Sequence, residues 1–182
     1  MFYFIGYNLE GRSAQLVDNL KHSIADKCYV SEALRIPPHL TLFTPFEMEE
    51  GGLEHLLRGL TEVSREIDPF TVKITGFNHF GERVWFLDVE QSERLMDLKT
   101  KIVKMMAAKF AIPEDTGGRK GVHFHLTLAY KDVTPEKFKL IGDYLEGQDL
   151  PIEKLDIGAI VLFEKKAGNW QVISRFGLGN TA

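Results

Sequence analysis

The sequence predicts an α+β fold built from a duplicated strand-helix-strand-helix-hairpin unit. The expected shape is bilobal with pseudo-two-fold symmetry, with a central cleft between two antiparallel sheets. Three observations predict it. The tetrapeptide His-Leu-Thr-Leu occurs twice, at 39–42 and 125–128. The elements around the two copies follow the same order. His125 follows His39 by 86 positions, and Trp170 follows Trp85 by 85.

The elements read as follows. Residues 2–9 (FYFIGYNL) form a strand, and 12–25 carry apolar residues at helical spacing. A loop through Pro37-Pro38 leads to a short strand at 39–43. A helix at 52–66 comes next, then strands at 70–80 and 83–90 with Gly81-Glu82 at the turn. The second unit shares the strand Val84–Val89 as its opening element. Its helix spans 92–110, with Met96, Met105 and Met106 read as core, and a Gly-rich loop at 116–121 precedes the second His strand. A helix at 134–146 and strands at 155–164 and 170–178 close the chain, with Gly168-Asn169 supplying the turn. One domain over 1–182 is expected, with a lobe-level repeat at approximately 1–83 and 84–182.

Composition narrows the function. The chain has 182 residues, enough to bury a core without staples. Its 22 basic and 26 acidic side chains give a formal charge of -4. A protein that coats long duplex nucleic acid needs a basic surplus to neutralise many phosphates, and this chain lacks it. A nucleotide or one RNA terminus bearing a phosphate is the better-matched partner. Cys28 is the only cysteine, so neither an internal disulfide nor a cysteine-rich zinc site can form. No apolar stretch has the length of a membrane span, and the opening Met-Phe-Tyr-Phe-Ile run lacks a basic leader. The expectation is a cytoplasmic protein without membrane contact.

The repeated tetrapeptide has a chemical logic. Side chains alternate across a strand, so His39 and Thr41 share one face while Leu40 and Leu42 take the other. The same holds for His125 and Thr127 against Leu126 and Leu128. A pseudo-two-fold axis brings two imidazoles and two hydroxyls to one guest, and a tetrahedral phosphate matches that set. The hydroxyls donate to its non-bridging oxygens. One neutral imidazole takes a proton while the other, protonated, gives one to the departing oxygen, a pairing suited to a group that titrates near neutrality.

Pro37-Pro38-His39-Leu40-Thr41-Leu42, His125-Leu126-Thr127-Leu128, the duplicated element order and the closing Gly168-Asn169-Trp170 hairpin resemble the two-histidine (2H) phosphoesterase superfamily. Within it, they resemble the bacterial 2'-5' RNA ligase-like proteins. The resemblance implies a bilobal fold that hydrolyses or forms 2',3'-cyclic or 2'-5' phosphodiester linkages without metal. It implies His39, Thr41, His125 and Thr127 as the catalytic set. Many such relatives place an Arg soon after the second motif; here Ala129-Tyr130-Lys131 stands, with Lys131 as the replacement charge, so substrate choice does not carry over.

Further candidates lie around the motifs. Arg119 and Lys120 in the Gly-rich loop and Arg35 before the first motif could hold a phosphate. Phe43 shares the face of His39 if the strand persists and could stack on a base. Tyr130 falls on the other parity and reads as core or rim. His123 and His125 form His-x-His on one face, with His39 as a third possible metal ligand. No carboxylate is tied to them by spacing and Thr127 is a poor zinc ligand, so no metal or other cofactor is expected. His22, His55 and His79 read as exposed positions without partners. The alternatives are a non-catalytic nucleotide- or RNA-binding module with the same cleft, and a metal-dependent hydrolase.

Overall fold

The structure, a computed structural model, describes residues 1–113 and 122–179. Eight strands and four α-helices alternate along them. The first unit comprises β1 (Phe2–Asn8), α1 (Gly11–Cys28), β2 (His39–Glu47), α2 (Leu53–Arg65) and β3 (Phe70–Phe80). The second comprises β4 (Val84–Val89), α3 (Glu93–Phe110), β5 (His125–Ala129), α4 (Pro135–Leu145), β6 (Lys154–Ile157), β7 (Ala159–Lys166) and β8 (Asn169–Gly177). The expected strand at 155–164 is two strands, broken at Gly158. A 3-10 turn at Glu32–Arg35 falls inside the expected loop.

Local chemistry sets the boundaries. Ser92 caps α3 by accepting the Leu95 amide, and Thr134 caps α4 by accepting that of Lys137, with Pro135 in the first turn. The β7–β8 turn uses Ala167 (φ 48°) and Gly168 (φ 83°), both left-handed, one position earlier than expected. Two left-handed residues in succession match the twist of a tight hairpin.

The strands form one curled antiparallel sheet in the order β6-β3-β4-β5-β2-β1-β7-β8. It consists of two four-stranded halves that meet through a single paired position, Leu40 with Leu126. One half (β2-β1-β7-β8) joins the two ends of the chain, while the other (β6-β3-β4-β5) uses its middle. β3, which closes the first unit, lies against β4, while β7 returns to β1. The boundary near residue 83 therefore falls within one hairpin.

The helices cover one face of the sheet. Leu40, Leu42, Leu126 and Leu128 point into that layer and are at most 1% exposed. They pack with Val17, Leu20 and Ile24 of α1 and Leu95, Leu98 and Ile102 of α3. Met105 and Met106 are core as expected, whereas Met96 reaches the surface. The Trp85–Trp170 spacing proves coincidental. Trp85 lies on β4 and stacks on Phe138 of α4, donating its indole N–H to that residue's carbonyl. Trp170 stands on β8 near Phe4. The sheet order makes β4 the counterpart of β1, not of β8.

Candidate active site

The Leu40–Leu126 pair fixes the geometry of the open face. Counting outward in an antiparallel register, His39 comes opposite Thr127 and Thr41 opposite His125. All four side chains lie on the face away from the helices, each partly exposed. The two histidines are then diagonal neighbours across β2 and β5. His39 and Thr127 line one small cavity together, although they are distant in sequence.

Each imidazole is held in the same way. His39 Nδ1 lies 2.8 Å from the Pro37 carbonyl oxygen, and His125 Nδ1 lies 2.8 Å from that of His123. A carbonyl only accepts, so Nδ1 carries the proton and Nε2 is the nitrogen left to exchange one. A pair of phenylalanine rings lies against each histidine. Phe4 and Phe163 stack at 4.2 Å near His39, and Phe80 and Phe86 lie 4.4 Å apart, tilted at 40°, near His125. Each pair of rings comes from two paired strands, β1 with β7 and β4 with β3. They give the imidazoles rigid, dry flanks.

The surroundings of the two histidines differ. Burial pushes His39 down to about 4, and the positive charges of Lys21 and His125 add to that against the Pro37 carbonyl. Next to His125 in the β4–β5 register stands Asp88. Its carboxylate lies 2.9 Å from His123 Nε2 and accepts from the Asn78 amide at 3.3 Å.

Lys21 is a site residue the sequence reading missed. It is 3% exposed, donates to the Ile36 carbonyl at 2.7 Å, and lines the cavity shared by His39 and Thr127. Burial pushes its ammonium down, with Asp18 opposing. The signal was available, because position 21 falls on the apolar stripe of Val17, Leu20, Ile24 and Cys28. A lysine on a buried stripe calls for a partner or a task. Asp132 fixes the facing loop by accepting the backbone amides of Ser31 at 2.6 Å and Glu32 at 3.2 Å.

The remaining candidates separate. Lys131 and Tyr130 line a cavity beside His39 and Thr41. Arg35 is exposed and pairs with Glu32 at 3.2 Å. Arg119 and Lys120 lie outside the described residues. Phe43 is the correction: it is 1% exposed and packs on Phe46 in the core. The register between β1 and β2 slips from Ile5–Phe43 to Gly6–Thr41, so Leu42 is an extra residue. That bulge turns Phe43 away from the face of Thr41. His79 is also not isolated; its ring packs on Trp85 and Phe138. His123 pairs with Asp88 instead of joining His125 and His39. Among the described residues, no group of three or more His, Cys, Asp and Glu is arranged to hold a metal ion.

The family model of the 2'-5' RNA ligase superfamily matches residues 10–169. The chain belongs to that superfamily. A Bacillus licheniformis protein named "Putative phosphoesterase" is 34% identical over 146 residues, covering 79% of this chain and 82% of that protein. A Geobacillus thermodenitrificans protein of the same name is 27% identical over 157 residues, covering 84% and 85%. Among solved structures, E. coli LigT complexed with 3'-AMP aligns with a TM-score of 0.63 at 16% identity, covering 97% of each chain. TT0787 of Thermus thermophilus aligns at 0.60 and 19% identity, covering 99% of this chain and 100% of that one. The curled eight-stranded sheet is thus a LigT-like fold.

Proposed function

We propose that this superfamily member is a phosphoesterase that cleaves 2',3'-cyclic or 2'-5' phosphodiester linkages of nucleotides or RNA ends by two-histidine acid/base catalysis. The observation that carries the reading is the Leu40–Leu126 register, by which two His/Thr pairs share the open face of the sheet. The phosphate sits between the imidazoles, with the Thr41 and Thr127 hydroxyls donating to its non-bridging oxygens. His39 is the base: its dry, cation-flanked setting keeps it neutral, and Nε2 takes a proton from the attacking water. His125, on the side of the Asp88 carboxylate, is the acid that protonates the departing ribose oxygen. Lys21 contributes positive charge at the cavity wall. No step needs a resident metal or cofactor. Proton transfer of this kind contributes roughly 10²–10⁴-fold per group.

The test is a turnover screen of 2',3'-cyclic nucleotides and short 2'-5' oligonucleotides with excess chelator present. Activity is expected in wild type and lost in both His39→Ala and His125→Ala, with circular dichroism and melting unchanged. Binding without turnover makes the chain a nucleotide-binding module. Turnover that vanishes with chelator makes it a metal-dependent hydrolase. Either outcome overturns the proposal.

A further inference from the structure

The cleft is not symmetric in charge, and the asymmetry selects a guest. On the His39 side a cavity of about 410 Å³ opens beside His39 and Thr41, within the size range of small-molecule sites. Aromatic side chains form much of its wall, among them Phe2, Phe4, Tyr130 and Trp170. The charged residues lining it, among those described, are Lys131 and Lys165, with no carboxylate. That is a notable bias in a chain with an acidic surplus. The His125 side has Asp88 instead.

Both lysines are placed by the fold. Lys165 sits directly opposite Trp170 in the β7–β8 register, two residues beyond Phe163 and on the same face. Its neighbour Lys166 takes the other face and pairs with Glu164 at 2.7 Å. Lys131 follows β5 in a left-handed conformation (φ 63°), uncommon for a residue with a side chain. Its ammonium lies 5.1 Å from the centre of the Tyr130 ring. Trp170 stands at 80° to Phe4 and stays partly exposed, leaving ring surface for a planar base.

We propose that this cavity holds the base against Trp170 and a second phosphate, beyond the one between the histidines, on Lys131 and Lys165. The substrate class is then a terminal nucleotide that also bears a 5'-phosphate, as the 3' end of an RNA strand does, in preference to a free nucleoside cyclic phosphate. This deepens the proposed function and rests on its placement of the scissile phosphate.

The test is equilibrium binding, measured by calorimetry at low salt, of adenosine 2'-phosphate and adenosine 2',5'-bisphosphate. Two exposed ion pairs together give a preference of about tenfold for the bisphosphate. In Lys131→Ala/Lys165→Ala the two ligands should bind within about threefold of each other, while Lys166→Ala should keep the wild-type ratio. Trp170→Ala should weaken both ligands together. Equal binding by wild type, or a preference that survives in the double variant, overturns the proposal. Turnover of cyclic substrates without the preference defeats this inference alone. A lysine-dependent preference without any turnover defeats the acid/base chemistry alone.

Discussion

Acid should leave His39 working well below the pH at which an ordinary imidazole fails as a base. Burial is the main cause, and the Lys21 and His125 charges act in the same direction, taking the ring from 6.5 to about 4. At about 1.4 kcal/mol for each pH step, that interval corresponds to about 3 kcal/mol of penalty on the charged ring. Water reaching the partly exposed edge screens some of it, leaving of order 2 kcal/mol. The assay is kcat/KM for 2',3'-cyclic AMP from pH 3.5 to 8, with the His39 ring protons followed by NMR. The acid limb should fall well below pH 6, near the midpoint of the NMR titration. The same shift affects folding. The native ring binds its proton near pH 4 and the unfolded one near 6.5, so the unfolded chain binds more protons between these values. The contribution to stability is therefore complete above about 6.5 and drains away as pH falls toward 4. His39→Gln should flatten that dependence in urea titrations. An acid limb and a ring titration both near 6.5 would refute the reasoning.

Three other perturbations bear on the site's support. Lys21→Met removes one of the charges that oppose protonation of His39, so the acid limb should move to higher pH; an unmoved limb would mean that Lys21 does not act on the ring. In Gly6→Ala the new Cβ would stand 2.6 Å from the Leu40 carbonyl oxygen, and Leu40 makes the pair that joins the sheet halves. A loss of about 1–3 kcal/mol is expected in urea unfolding, along with reduced turnover; a wild-type profile would contradict the tight contact. Asp132→Ala frees two backbone amides of the loop facing His39 and should cost about 1–3 kcal/mol. Its KM should rise more than its kcat falls, and kinetics identical to wild type would show that the loop needs no such clamp.

Much of this was legible in the chain. Period-two alternation placed Leu40, Leu42, Leu126 and Leu128 inward and the His/Thr pairs outward, because side-chain direction along a strand is a local property. Helical spacing located all four helices for the same reason, and capping residues Ser92 and Thr134 mark two of their starts. The repeated tetrapeptide by itself named the histidine and threonine pairs that the fold brings together. Partners across strands were not legible. The bulge that sends Phe43 into the core depends on how β1 meets β2, so no window around residue 43 contains it. The phenylalanine pairs beside each histidine join β1 to β7 and β3 to β4, and the Lys165–Trp170 wall on β7 and β8 meets Lys131, which follows β5, only once the strands are assembled into the sheet. Whether a charge is expensive is likewise a tertiary property: Lys21 and His39 are ordinary residues in the sequence, and only the packing around them withholds the water that would make their ionisation ordinary too.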